Sequence, residues 1–163
     1  MHGCSFVLAF QVEGVIQNAA GNIDQPAAES GTGINDSGVD RQKVYVTNAV
    51  KHFKFEPRGK RRIHSKPNAG EIQACRWWLD NERRLVRPQV IVALGATAAR
   101  SVFGRPVAVM KARGPAGALE DGAKGFVTVH PSMLLRIPDR AAKAAAFRDF
   151  VRDLEGAWEL VEA

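Results

Sequence analysis

The chain has 163 residues, 45% of them hydrophobic and 25% charged, with a formal net charge of +6. That length and composition suit one soluble globular domain with a real core. No apolar run reaches the ~18 residues a membrane-spanning helix needs. Two cysteines, Cys4 and Cys75, exclude a disulfide framework and make a reducing cytoplasm the expected compartment.

The opening MHGCSFVLAFQVEG has only a short apolar stretch, so Phe6 to Phe10 reads as a buried strand and not as a signal peptide. Residues 17–40 are rich in Gly, Asn, Ser, Asp and Ala and are broken by Pro26 and by Gly31-Thr32-Gly33, which predicts loops with one short helix. Val44 to Val50 (VYVTNAV) has the β-branched and aromatic content of a strand. A basic loop follows. Pro67 to Arg84 reads as a helix, with Asn68 as its cap and Glu71 at capping-box spacing. Pro88 to Leu94 (PQVIVAL) is the pattern of a buried parallel strand. Gly95-Ala96-Thr97-Ala98 then opens a helix that Gly104-Arg105-Pro106 closes. Phe126 to Val129 is a fourth strand, closed by His130-Pro131-Ser132, and Arg140 to Val161 is a long final helix.

Strands alternating with helices predict an α/β fold: a three-layer α/β/α sandwich around a mainly parallel four-stranded sheet. Ligands in such sheets bind outside the carboxyl ends of the strands. The expected rim therefore gathers Gln11 to Gly14, Asn48, the basic loop, Gly95 and His130.

The basic loop, KHFKFEPRGKRRIHSK, holds Lys51, Lys54, Arg58, Lys60, Arg61, Arg62 and Lys66 against one acid, Glu56. This local excess equals the net charge of the whole chain, +6, so the remainder is neutral. Such a footprint suits a phosphate backbone. The interleaved Phe53, Phe55, His52 and His64 add rings that can contact bases. A solvated basic loop is the competing reading of the same residues.

Three stretches carry a family resemblance. Val44–Phe55 (VYVTNAVKHFKF), Gly59–His64 (GKRRIH) and Val129–Arg136 (VHPSMLLR) together resemble the uracil-DNA glycosylase superfamily, and the KRRIH loop resembles its UdgX branch, itself similar to the iron–sulfur family 4 enzymes. Pro88–Ala99 (PQVIVALGATAA) is similar to the family's core strand and helix. The resemblance implies uracil-containing DNA, single-stranded by expectation, as the partner of a monomer. It implies that His64, with Arg62 beside it, attacks the sugar carbon after uracil leaves. His130 would stabilise the departing uracil anion. Asn48 would read the uracil edge. Ser132 through Arg136 would help flip the nucleotide, unless Met133, Leu134 and Leu135 are core. Lys51, Lys54, Arg58, Lys60, Arg61, Lys66 and Arg136 would hold phosphates.

Two features depart from the family pattern. The first-strand motif is replaced by FQVEG, in which Gln11 or Glu13 takes the polar catalytic position. The resemblance also implies a [4Fe-4S] cluster, with Cys75 and His52 at ligand positions. Two ligands do not hold a cubane that wants four, so the cluster is expected to be incomplete or absent. Taken alone, Cys75 reads as a buried helix cysteine. The N-terminal 38 residues are thus expected to be divergent or shortened. The competing function is a non-catalytic DNA-binding remnant that keeps the basic loop and the His-Pro-Ser clamp.

Overall fold

The computed structural model describes residues 6–10, 34–51 and 54–163, and for Phe6, Arg61, Arg62, His64 and Glu162 the description is of the backbone. The expectations for Cys4, Gln11, Glu13, His52 and Phe53 concern positions outside the described residues. The elements are β1 (Phe6–Phe10), β2 (Val44–Asn48), β3 (Phe55–Arg58), β4 (Arg61–His64), α1 (Ala69–Val86), β5 (Val90–Leu94), α2 (Ala96–Phe103), α3 (Val109–Ala112), β6 (Gly114–Ala118), β7 (Lys124–Thr128), α4 (Pro131–Leu135) and α5 (Arg140–Glu162).

The strands form a five-stranded sheet in the order β2-β1-β5-β7-β6, with β3 and β4 as a separate two-stranded ribbon. The central strand β5 is buried along its whole length. Its residues alternate between two cores because successive side chains leave opposite faces of a strand. Val90, Val92 and Leu94 join Leu8, Phe10, Phe126 and the α5 residues Phe150, Leu154 and Ala157. Ile91 and Ala93 join Val7, Leu79 of α1, and Ala98, Ala99 and Val102 of α2. Helices on both faces make the three expected layers.

The expected strand directions need correction. The sheet is mixed, not mainly parallel, and it has a fifth strand. β1 is antiparallel to β2, with Phe6 opposite Asn48 and Phe10 opposite Val44. It is antiparallel to β5 as well, with Phe10 opposite Val90. β5 and β7 are parallel, with Leu94 beside Thr128. The added strand β6 runs antiparallel on the edge of β7, with a shift in register between Pro115 and Ala118. An edge strand tolerates a proline that a central ladder would not.

One consequence bears on the site. β2, β5 and β7 share a direction, so Asn48, Leu94 and Thr128 end on one rim. β1 begins at that rim and ends at the opposite one, where Gln89 N–H donates to the Phe10 carbonyl at 2.9 Å. The expectation that the carboxyl end of β1 shares the rim is therefore overturned.

Local chemistry sets the helix ends. Asn68 Oδ1 accepts the Glu71 N–H at 2.9 Å and Glu71 accepts the Asn68 N–H at 2.7 Å, a complete capping box. Asp139 accepts the Ala142 N–H at 2.7 Å at the start of α5. No helix among the described residues is long and apolar enough to cross a membrane.

Candidate active site

The rim is built from three chain segments. Asn48 closes β2, Gly95 joins β5 to α2, and His130 leads from β7 into α4. From β2 to β7 are three strand spacings, or ~14 Å. Asn48 is half-buried, and its Oδ1 is shut off from solvent with no hydrogen-bond partner among the described residues. A buried carbonyl oxygen left this way costs stability unless something donates to it.

His130 caps α4, and Pro131 takes the first helical position, where its missing N–H costs nothing. The His130 Nδ1 accepts the Ser132 N–H at 3.1 Å and lies 2.8 Å from the Ser132 hydroxyl. A nitrogen that accepts a backbone N–H has no proton of its own. In the neutral ring Nε2 therefore carries the proton and is a donor. In α4, Leu134 is buried, while Met133 and Leu135 are each 36% exposed. One residue of the three is core and two stand at the surface, beside the exposed Arg136.

The basic segment is not the expected loop. β3 and β4 form an antiparallel ribbon turned by Gly59-Lys60, with φ +59° at Gly59, the position a II′ turn gives to glycine. Arg58 and Lys60 are exposed at its tip. His64 pairs with Phe55 at the foot of the ribbon, the end joined to the chain leaving β2. Ser65 N–H donates to the Lys54 carbonyl at 2.9 Å and ties that foot together. The structure brings neither Lys51 nor Lys54 to the surface as an isolated charge. Lys51 Nζ lies 2.6 Å from Glu82 and 2.6 Å from Thr47 Oγ1, and Lys54 Nζ lies 3.0 Å from Glu71. Lys66 is exposed beyond the ribbon.

Glu71 and Glu82 are the anchors that sequence reasoning missed in this role. They lie on one face of α1, and a basic segment just upstream of two such acids is the signal that finds them. Beside them, Tyr45 is held above its ordinary value of 10.0 by burial first and by the Glu82 charge second.

A second polar cluster backs β7. The carboxylate of Asp153 in α5 receives the Thr128 hydroxyl and lies 2.5 Å from Arg113 Nε. It holds the end of β7 two residues before His130.

A family model described as the uracil DNA glycosylase superfamily matches residues 13–155. The chain belongs to the uracil-DNA glycosylase superfamily. It is 38% identical over 104 residues to the type-4 uracil-DNA glycosylase of Thermotoga maritima, covering 63% of this chain and 50% of that protein. It is 35% identical over 102 residues to the type-5 enzyme of Pyrobaculum aerophilum, covering 61% and 41%. A type-4 enzyme of Sulfurisphaera tokodaii is 29% identical over 109 residues, covering 63% and 46%. The chain thus spans about half the length, or less, of these superfamily relatives.

Among the described residues no group of three or more His, Cys, Asp or Glu side chains could hold a metal ion. Of the nominated ligands only Cys75 is described, and it is buried in α1. Among the described residues one thiol stands where a cubane needs four ligands.

Proposed function

We propose that this protein binds uracil-containing DNA, releases uracil and becomes crosslinked to the abasic sugar through His64. The observation that carries the reading is the rim that holds Asn48, its Oδ1 shut off from solvent, and the Ser132-oriented His130 on either side of Gly95. The Asn48 oxygen suits the N–H of a uracil edge. The Nε2–H of His130 suits the uracil O2, where negative charge grows as the bond breaks. The C1′–N1 bond breaks with its electron pair going to uracil. A neutral His64 nitrogen then gives its lone pair to C1′, and the resulting imidazolium can lose its proton to solvent. Arg62 lies within the same loop motif and would hold the phosphate beside that sugar. The exposed Arg58, Lys60, Lys66 and Arg136 would hold the others, with Arg61. We read the chain as one domain acting as a monomer on single-stranded DNA.

The test is incubation with uracil-containing single-stranded DNA, followed by a denaturing gel. A shifted, detergent-stable band is expected. Free uracil without the band would retain the glycosylase and remove the crosslink. Neither product would favour a second reading, a non-catalytic DNA-binding protein. One observation favours that reading: β1 ends on the rim opposite Asn48 and His130.

A further inference from the structure

We propose that Gly95 is a positioning residue for His130: its missing side chain sets where the imidazole stands on the rim. The proposal rests on the reading of His130 given above. Gly95 has φ +87° and ψ 173°, a backbone region essentially restricted to glycine. A Cβ built there would lie 3.0 Å from His130 Cβ, 3.7 Å from its backbone nitrogen and 3.8 Å from its Cα. These atoms belong to the root of the residue, not to the far end of a flexible side chain. Rotation of a side-chain torsion therefore cannot clear them.

The segment under His130 has little freedom to retreat. Gly95 N–H donates to the Thr128 carbonyl at 2.9 Å, which ties the two loops together. On the other face the Thr128 hydroxyl is bonded to Asp153. Beyond His130, Ser132 N–H holds Nδ1 at 3.1 Å. A side chain at position 95 must then move His130 itself. Displacements well below 1 Å at a group that meets growing charge are costly, and 1 Å can cost about a hundredfold in rate.

The experiment compares Gly95→Ala with Gly104→Ala. Gly104 closes the other end of α2 with φ +70°, and a Cβ there would meet only the flexible tip of Arg76. It therefore controls for an alanine at an end of α2 without touching His130. Two readouts are taken: the side-chain nitrogen spectrum of ¹⁵N-labelled His130, and single-turnover uracil release beside binding of DNA carrying a non-cleavable 2′-fluoro-deoxyuridine. Gly95→Ala is expected to shift the His130 nitrogen signals, to slow release about tenfold or more, and to keep analogue binding within about twofold. Gly104→Ala is expected to keep both signals and rate.

Unchanged His130 signals in Gly95→Ala, or an equal shift in Gly104→Ala, overturn the proposal. If the wild type releases no uracil, the functional reading fails, while the His130 spectrum still decides the role of Gly95. Backbone strain at position 95 is common to both backgrounds, so in urea unfolding Gly95→Ala is expected to cost less stability in the His130→Gly background than in the wild type, because the atom the alanine meets is gone. An equal cost in the two backgrounds, or failure to fold in both, overturns the proposal.

Discussion

Lys51 reaches Glu82 across 2.6 Å, and this contact fastens the start of the basic segment to the C-terminal third of α1. The same Glu82 oxygen accepts the Thr47 hydroxyl at 2.9 Å, so one carboxylate joins β2, the basic segment and the helix. Two of the segment's lysines are thereby paired with acids of α1, and in the proposed function phosphate is held by the cations beyond them.

Glu82→Gln tests that division of labour. It leaves a hydrogen-bonding amide but frees the Lys51 charge. Stability is expected to fall by about 1 kcal/mol, the scale of a half-exposed pair. Affinity for single-stranded DNA is expected to rise, with a steeper salt dependence. A variant that binds DNA no better than wild type in a salt titration would count against it.

The chain has a single tyrosine, so absorbance of the phenolate reports Tyr45 directly. Burial first, and Glu82 second, raise its ionisation above 10.0. Above the unfolded value the unfolded chain loses this proton while the folded chain keeps it. The unfolded state then binds fewer protons, so stability is fully present below pH ~10 and falls as pH rises through the folded value. Alkaline titration should give a midpoint above 10 in the native protein and near 10 in denaturant. Equal midpoints would contradict the packing around Tyr45.

The exposed cations of the ribbon should behave unlike the anchored ones. Arg58→Ala and Lys60→Ala are each expected to reduce the slope of log affinity against log salt by about one. Lys54→Ala should act mainly on stability, because Lys54 is paired with Glu71. A Lys54 effect on the slope as large as that of Lys60 would reverse the assignment.

His64→Ala and His130→Ala separate the chemical roles. The first is expected to abolish the covalent adduct while DNA binding persists, and to allow water to complete uracil release. The second is expected to slow both release and crosslinking by roughly 10²–10³-fold, as for a lost oxyanion donor. An adduct formed by His64→Ala at the wild-type rate would assign the attack to another residue.

Asp153→Ala removes the shared partner of Thr128 and Arg113. Both lose a hydrogen bond, and Arg113 Nη2 is already buried without a partner among the described residues. A loss of about 2–3 kcal/mol is expected, or roughly 5–10 °C in Tm. A calorimetric scan within 2 °C of wild type, as an order of magnitude, would show that the cluster is not holding β7.

Much of the framework is legible in short stretches because its physics is local. The Asn68–Glu71 capping box needs only four consecutive residues, and it starts α1 where expected. The run VIVAL has no polar face, so it belongs in the centre of a sheet, and β5 lies there. His130-Pro131-Ser132 marked a strand end because proline suits the first position of a helix and the histidine can cap it.

The direction of β1 was not legible. FVLAF is apolar in both directions and buried along its described positions, so no pattern distinguishes parallel from antiparallel; its two neighbours decide. β6 (GPAGA) carries no strand-forming side chains and exists because β7 offers an edge. The ribbon of β3 and β4 is rich in charge and every β3 side chain is exposed, so it lacks the alternation that betrays a half-buried strand. The same division holds at the site. The family resemblance of three short motifs nominated Asn48, His64 and His130, since a motif displays its pattern without needing neighbours in space. That Lys51 would be fastened to an acid 31 residues away, or that Gly95 would lie against His130, is a matter of distances between remote segments, and only the packed sheet sets those.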